Sequence, residues 1–564
     1  MSLLEIDSLA VSYSTAGGTR RAVHDVSLAI EPGQTVALVG ESGSGKTTTA
    51  QAVIGLLPEN GRVEHGRVLL NGTDIAGWNE RRLRAVRGTQ VSLVPQDPVS
   101  SLDPVQTIGA QIAEVFRLHE PRDRRPVLPR VLALLERVGI DDPEHRARQY
   151  PHELSGGMRQ RVLIAIAVAL HPRLIIADEP TSALDVTVQR NVLDLLDSLR
   201  QEFGTAVLFV THDLAVAAER SQRLVVMRDG RVEEQDDTTA ILRSPSSAYT
   251  RALLADAPAF STVERAARPT VVTRSAAGGA PTPATEATPP TATPPALAVA
   301  GLVKEFRRGA RGAAFRAVDD VSFAVPAGTT HAIVGESGSG KTTTARMVAR
   351  FESPTAGSIA LAGEDITDAR GAALRALRRR VQLVYQNPFS TLDPRQRIRD
   401  IVEEPLRNFG LGDRAARRDR AAELVDRVAL PSSVLLRHPR ELSGGQRQRV
   451  AIARALALDP AVVVLDEAVS ALDVTVQAGI LRLLDELQRD LGLTYLFISH
   501  DLAVVRQISD TVSVMRRGRV VESGPVATLF AAPRHEYTQQ LLSAVPGSTV
   551  SAADAVPTPT GDRR

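Results

Sequence analysis

Short apolar runs of three to five residues punctuate this chain, and each ends in a residue with usable chemistry. Val36–Val39 and Ala332–Val334 lead into glycine-rich loops, and Leu174–Ala177 and Val462–Leu465 stop at Asp178-Glu179 and Asp466-Glu467. Val207–Thr211 and Tyr495–Ser499 stop at His212 and His500. Continuous apolar runs of this length predict strands buried on both faces. Helix-compatible stretches separate them, among them those that follow Lys46 and Lys341. Strands alternating with helices predict an α/β fold with a largely parallel sheet. The longest good apolar run, Val162–Leu170, is bounded by Arg161 and His171. It is far shorter than the roughly 18–20 residues a membrane-spanning helix needs, so it reads as a buried core helix. The opening MSLLEIDSLAVSYS has neither the basic start nor the long apolar run of a secretory signal. Work at a membrane would therefore need other subunits.

The pattern occurs twice. Equivalent positions are offset by 295 residues at Lys46 and Lys341, by 290 at Gln96 and Gln386, and by 288 at His212 and His500. Small deletions between these points are what duplicated domains accumulate in loops. A length of 564 residues thus resolves into two large halves, 1–260 and 298–546, each able to bury its own core. Between them, residues 261–297 turn to Ala, Pro and Thr, a composition that predicts an extended, disordered tether. About 36 residues of coil would span roughly 30–35 Å, enough for the halves to meet face to face. The tail, 547–564, has the same character.

Composition narrows the chemistry. Sixty-seven basic and 65 acidic residues give a net charge of +2, which is no footprint for nucleic acid, and short arginine runs such as Arg378–Arg380 read as solvated helix faces. Cysteine is absent, which excludes disulfides, zinc ribbons and iron–sulfur ligation. Only three of the basic residues are lysine: Lys46, Lys304 and Lys341. Two of them fall at the same place in the identical segments Gly40–Ala50 and Gly335–Ala345, GESGSGKTTTA. Both segments fit G-x-x-x-x-G-K-[ST], in which a compact ammonium reaches between nucleotide phosphates. Strand, glycine loop, helix is the context that makes this pattern specific. The chain is expected to bind nucleoside triphosphate at two places.

Backbone N–H groups of Gly40–Thr48 and Gly335–Thr343 would cradle the phosphates. The residues concerned are Gly40, Glu41, Ser42, Gly43, Ser44, Gly45, Lys46, Thr47 and Thr48, with Gly335, Glu336, Ser337, Gly338, Ser339, Gly340, Lys341, Thr342 and Thr343 in the second copy. Thr47 and Thr342 are placed to offer a hydroxyl to Mg²⁺, and Asp178 and Asp466 to hold the same ion. Glu179 and Glu467, one residue on, suit the orientation or deprotonation of an attacking water. Helix N-capping is the plain alternative for such an Asp-Glu pair. Ser155-Gly156-Gly157-Met158 and Ser443-Gly444-Gly445-Gln446 each open a helical run, a second phosphate-binding device.

With these motifs the chain resembles the ATP-binding-cassette family over nearly its whole length outside the tether and tail. The resemblance implies ATP and Mg²⁺ as ligands. It implies two cassettes, each with a mainly parallel core sheet, an antiparallel β part and a helical signature subdomain. It also implies that each signature loop closes on nucleotide held by the other half: Lys46, Asp178, Glu179 and His212 with Ser443–Gln446, and Lys341, Asp466, Glu467 and His500 with Ser155–Met158. Gln96 and Gln386 match the family's glutamine loop, which approaches Mg²⁺ and the attacking water. Asp185 and Asp473, in SALD, match the loop that couples the sites. Tyr13 and Phe306 match the aromatic that stacks on adenine, a buried strand aromatic being the alternative. Met158 departs from the usual signature glutamine, and Ala468-Val469 from the Pro180-Thr181 of the first half. Neither change removes a carboxylate or a phosphate contact, so both sites are expected to hydrolyse ATP.

QDPVSSLDP (from Gln96), QNPFSTLDP (from Gln386) and the tyrosine motifs Ala248–Leu254 and Glu536–Leu542 are similar to the ATPase subunits of bacterial peptide and nickel importers, fused here into one chain. An amphipathic closing helix is the alternative for the tyrosine motifs. That resemblance implies two integral membrane permease subunits, an extracytoplasmic solute-binding protein and a place on the cytoplasmic face of the inner membrane. Di- or oligopeptides are the commonest cargo, with nickel, glutathione and other small solutes as alternatives. A ribosome-associated translation factor with tandem cassettes is the rival reading. Its members join their halves with a long, charged helical segment, unlike the Pro/Thr-rich tether here.

Overall fold

The computed structural model describes residues 2–15, 17–120, 125–182, 184–260, 294–307, 314–386, 391–470 and 472–547. Residues 261–293 of the Ala/Pro/Thr-rich segment, 548–564 of the tail, and Asn387–Ser390 in the second SLDP-like segment lie outside the described residues. The chain forms two compact units, one built mainly on residues 1–261, which also takes in 473–478 and 543–564, and the other on residues 262–472 and 479–542.

In the first unit, six strands lie in the order Arg231–Asp237, Arg223–Arg228, Thr35–Gly40, Ala206–Val210, Leu174–Asp178, Val91–Val94. All neighbours are parallel except the outer pair Arg231–Asp237 and Arg223–Arg228. The register explains where the chemistry goes. Leu38 and Asp178 both pair with Val210, so three central strands end level. The loops that carry Gly40, Glu179 and His212 therefore leave the same carboxyl edge, where open α/β sheets bind ligands. The second unit repeats the arrangement as Val381–Val384, Val462–Asp466, Thr494–Ile498, Thr330–Val334, Thr511–Arg516, Arg519–Pro525, with Ile333 and Asp466 both paired to Ile498. Thr35–Gly40, Leu174–Asp178 and Ala206–Val210 are buried at every position, as continuous apolar runs require.

Each unit adds an antiparallel sheet: Gly18–Ile30, Leu4–Thr15, Gly61–Leu70 and Thr73–Asp74 in the first; Ala314–Val325, Leu297–Arg307, Ala356–Leu361 and Glu364–Asp365 in the second. One core joins this sheet to the parallel one through Leu9, Val23, Leu38 and Leu208. A second core lies among helices: Ile112, Leu135, Val162 and Ile164 bring together Ile108–His119, Val127–Arg137 and Gly156–Val168. The run Val162–Leu170 falls mostly within that last helix and is largely buried, with Ile166 and Leu170 half-buried. Among the described residues, no helix is long and apolar enough to cross a membrane.

One core residue differs in kind between the units. Where the first has Val36, the second has His331, 2% exposed. Its ring stacks on Phe323 at 4.9 Å, and its Nδ1 and Nε2 meet the hydroxyls of Thr511 (2.8 Å) and Ser513 (3.0 Å). Burial among neutral partners pushes its pKa down from 6.5 to about 4. The unfolded chain thus binds a proton that the folded chain refuses, so this residue's contribution is complete above pH 6.5 and is lost as pH falls toward 4. We expect His331 to account for about 2 kcal/mol of stability lost between pH 7 and pH 5. Denaturant titration of the wild type and His331→Val at both pH values checks this; an equal acid-side loss in the two proteins refutes it.

Candidate active site

The carboxyl edge of each parallel sheet holds the predicted residues together. At the end of Thr35–Gly40 the backbone turns at Gly40 with φ of 146°, and a Cβ there would sit 2.1 Å from the carbonyl oxygen of Met227. Gly335 repeats this with φ of 147° and the carbonyl of Met515 at the same 2.1 Å. Only glycine fits either place. The loop then opens the helix Lys46–Ile54, or Lys341–Val348, at its positively polarised N-terminus. Lys46 and Lys341 are each 5% exposed. Lys46 Nζ donates to the carbonyls of Gly40 and Glu41, both at 2.8 Å; Lys341 Nζ donates to those of Gly335 (2.7 Å) and Glu336 (2.8 Å). Burial pulls the Lys46 ammonium below its ordinary pKa, opposed by the charge of Glu179. Ser44 Oγ and Ser339 Oγ, inside the same loops, are buried without a hydrogen-bond partner. Buried donors around an ammonium fit an anion with many acceptor oxygens, such as a triphosphate.

The strand that ends at Asp178 brings a carboxylate to this loop. Thr47 Oγ1 donates to Asp178 Oδ1 at 3.1 Å, and Thr342 Oγ1 to Asp466 Oδ1 at 3.2 Å. Burial raises Asp178 to about 6 and raises Asp466 as well. These paired hard oxygens fit a divalent cation such as Mg²⁺, whose charge would restore full ionisation. Neither Asp-Glu pair caps a helix. The following helix Val186–Phe203 is capped by Asp185, which accepts the Val188 N–H at 3.0 Å, and Asp473 accepts that of Val476 at 3.1 Å.

Glu179 and Glu467 stand in a conformation that their sequence did not announce. Their φ values are 45° and 49°, left-handed and strained for a residue with a Cβ. Each is fixed through its peptide N–H, Glu179 to Val210 O at 2.8 Å and Glu467 to Ile498 O at 3.0 Å. The same left-handed turn recurs at this place in both repeats, as it does at Asp25 and Asp320 and at Asp229 and Arg517. Gln96 Nε2 donates to Glu179 Oε2 at 2.8 Å, and His212 Nδ1 lies 3.2 Å from the same oxygen. The second copy has Gln386 at 2.6 Å and His500 at 3.4 Å from Glu467 Oε2. Burial pushes both glutamates up, but the histidine bond and charge outweigh it and hold each below its ordinary pKa. In return, burial draws His212 and His500 toward neutrality while their glutamates win and raise them. The result is an ionised carboxylate with one oxygen oriented and a histidine that carries charge above the usual pH.

Other predicted residues are placed but not joined to these clusters. Tyr13, on Leu4–Thr15, is half-buried and its hydroxyl meets Thr48 Oγ1 at 3.0 Å. Phe306, without a hydroxyl, packs near Phe315 at 5.9 Å with the Lys304 ammonium 5.0 Å from its ring. Among the described residues no hydrogen bond links Ser155–Met158 to Gly40–Thr48, or Ser443–Gln446 to Gly335–Thr343. Ser155 and Ser443 instead cap their helices, each accepting an N–H at 3.3 Å, from Met158 and Gln446. Gln446 Oε1 also accepts the Ser443 N–H at 3.1 Å, a reciprocal capping box. Met158 cannot do this and packs against the helical core instead. The role of two tyrosines, Tyr249 and Tyr537, was missed: each lies against its own phosphate loop, and only their recurrence in the motifs Ala248–Leu254 and Glu536–Leu542 hinted at it.

Comparison with known proteins finds relatives over nearly the whole chain. The family described as ABC transporter matches residues 23–182 and 318–470, and the family described as oligopeptide/dipeptide transporter, C-terminal region, matches residues 521–562. The chain is similar to the oligopeptide transport ATP-binding protein OppD of Mycobacterium tuberculosis, 42% identical over 604 residues that cover 96% of this chain and 98% of the relative. It is also similar to the glutathione import ATP-binding protein GsiA of Escherichia coli, 42% identical over 560 residues covering 96% of this chain and 89% of the relative.

The capping difference yields a prediction. Gln446→Met should remove the reciprocal bond at Ser443 and lower stability by about 0.5–1 kcal/mol, while Met158→Gln should not lower it by the same amount. Urea unfolding of both variants tests this, and an unchanged midpoint for Gln446→Met rejects it.

Proposed function

The chain belongs to the ABC transporter family, and from that premise we propose that it is the ATP-hydrolysing subunit that energises an importer of di- or oligopeptides. The observation that carries the ATPase reading is the twice-built constellation at the sheet edge: phosphate loop, buried lysine, Thr–Asp pair, and a glutamate held between glutamine and histidine. The match of residues 521–562 to the oligopeptide/dipeptide transporter C-terminal region supports the cargo class. Glutathione, itself a short peptide, is the second reading, favoured by the similarity to GsiA.

In this reading Gly40–Thr48 and Gly335–Thr343 bind the phosphates of two ATP molecules through backbone N–H groups and the two lysines. Thr47, Gln96 and Asp178, with Thr342, Gln386 and Asp466, would hold Mg²⁺, which would neutralise charge on the transferring phosphoryl group. Glu179 and Glu467, kept ionised, accept a proton from the attacking water, while Gln96 and Gln386 fix the carboxylate oxygen and His212 and His500 stabilise developing negative charge. Tyr13 and Phe306 offer an aromatic face to adenine. The signature residues Ser155–Met158 and Ser443–Gln446 serve the nucleotide of the opposite repeat, as the family resemblance implies, so that ATP closes the cassettes and ADP releases them. Two membrane permease subunits and an extracytoplasmic solute-binding protein complete the assembly, with this chain on the cytoplasmic face.

Two outcomes follow. Glu179→Gln and Glu467→Gln should each lower ATP turnover at least about twofold, and together by roughly 100-fold or more, with nucleotide still bound. Full turnover in Glu179→Gln beside complete loss in Glu467→Gln would defeat the claim of two competent sites. Affinity purification of the tagged chain from detergent-solubilised native membranes should yield two multi-span proteins and a solute-binding protein by mass spectrometry. Ribosomal proteins without a membrane partner would replace the importer reading with that of a translation factor.

A further inference from the structure

The two tyrosine motifs fold into the helices Ala248–Asp256 and Glu536–Ser543, and both helices are tied down by one repeated device. In the second unit Glu522, on the strand Arg519–Pro525, accepts the backbone N–H groups of Arg534 (2.9 Å) and His535 (3.1 Å). His535 Nδ1 then accepts the N–H of Tyr537 at 3.0 Å. In the first unit Glu234 accepts the N–H groups of Ser246 (2.7 Å) and Ser247 (3.2 Å), and Ser247 Oγ accepts that of Tyr249 at 3.1 Å. Each tyrosine ring lies beside a guanidinium, Arg228 at 4.9 Å from Tyr249 and Arg516 at 4.7 Å from Tyr537. Neither the glutamates nor these arginines take part in the chemistry described above. The device fixes where a tyrosine hydroxyl points.

That hydroxyl reaches the phosphate loop. Tyr537 is 2% exposed, and its Oη accepts the N–H of Glu336 at 3.1 Å. Lys341 Nζ donates to the carbonyl of the same Glu336 at 2.8 Å. One residue at the mouth of the loop is therefore held at both of its peptide groups, by a hydroxyl on one side and by the ammonium on the other. A triphosphate that engages Lys341 competes for the ammonium, and Tyr537 is then the side chain that keeps Glu336 in place. In the first unit the Tyr249 hydroxyl is buried beside the Glu41 peptide and feels it electrostatically, but the contact falls outside hydrogen-bond geometry, so the brace is weaker there.

We propose that Tyr537 is a positioning residue for the second nucleotide site, its hydroxyl setting the entry of the phosphate loop so that the later N–H groups stay aimed at the phosphates. The proposal rests on the reading of Gly335–Thr343 as a nucleotide site. It gives the C-terminal region a task inside the ATPase: the segment 521–562 contains both Glu522 and Tyr537, and so acts on nucleotide binding through the Glu336 peptide.

The test uses the full chain carrying Lys46→Ala, so that a fluorescent N-methylanthraniloyl-ATP reports on the second site. Adding Tyr537→Phe, which keeps the ring, should weaken binding roughly 3- to 10-fold, the effect of one lost peptide hydrogen bond. The matching change, Tyr249→Phe in a Lys341→Ala chain, should weaken the first site less. Unchanged affinity in Tyr537→Phe, or equal losses for the two tyrosines, overturns the proposal; a drop in melting temperature without a change in affinity does so as well. Failure of the Lys46→Ala chain to bind the probe at all would overturn the nucleotide-site reading, and the brace with it. Hydrogen exchange on the unmodified chain gives an independent check that needs no variant. The Glu336 amide should be protected without nucleotide and remain so with ATP bound, and rapid exchange in either state refutes the brace.

Discussion

A buried ammonium bent back on its own loop is the constraint from which the rest of each unit follows. Lys46 and Lys341 lie almost out of solvent, and each satisfies its charge on two carbonyls of the loop that precedes it. An ammonium in that position demands acceptors, and the loop can supply them only if its first glycine takes a φ near 146° against a neighbouring strand carbonyl. That in turn fixes the strand Thr35–Gly40 between Ala206–Val210 and Arg223–Arg228, because the carbonyl belongs to Met227. Sheet order, loop shape and lysine are one requirement. The same reasoning holds for Gly335, Met515 and Lys341.

What the sequence revealed were features written in residue type and order. Buried strands showed as runs of apolar residues, the phosphate loops as glycine spacing, and the acids and histidines as whatever stood at the end of a run. Register then brought them to one edge, since strands of matched length in a parallel sheet end level. What stayed hidden depends on backbone geometry or on contacts across long separations. The left-handed Glu179 and Glu467 look like any glutamate after an aspartate in a row of letters. The Gln96–Glu179 bond joins residues 83 positions apart, and the Tyr537–Glu336 bond residues 201 apart. Met158 against Gln446 was visible as a letter change, but its consequence, a capping box present in one helix and absent from the other, needed coordinates.

The two units are copies that have not stayed equal. Their phosphate loops are identical residue for residue, yet the surroundings differ at every level: Tyr13 bonded to Thr48 against Phe306 with no hydroxyl, Val36 against a buried neutral His331, a loose Tyr249 against a bonded Tyr537. Within the loop the first glycine, the lysine and the threonine each meet a geometric demand. The supporting shell can change one contact at a time, since no single hydrogen bond decides whether the unit folds. Two sites with the same reacting groups can thus differ in how firmly they hold nucleotide.

The adjacent carboxylates show how neighbours in sequence acquire different electrostatics. Asp178 and Glu179 are neighbours in sequence and both are withdrawn from water, so burial alone would raise both. It raises Asp178 to about 6, with the charge of Glu179 adding to the effect, because the Thr47 hydrogen bond and the Lys46 charge lower it too little to offset burial. It fails to raise Glu179, because His212, Lys46 and Gln96 all favour the charged form. Two like groups pushed apart in this way differ in what they suit: Asp178 gains most from a nearby cation, and Glu179 holds its charge without one. Reversing the order of the two residues would put the glutamate against Thr47 and the aspartate against the histidine, and neither would have the partner its charge state needs. The sequence Asp-Glu at the end of that strand is therefore a polarity, set by which side of the turn faces the phosphate loop and which faces Gln96 and His212.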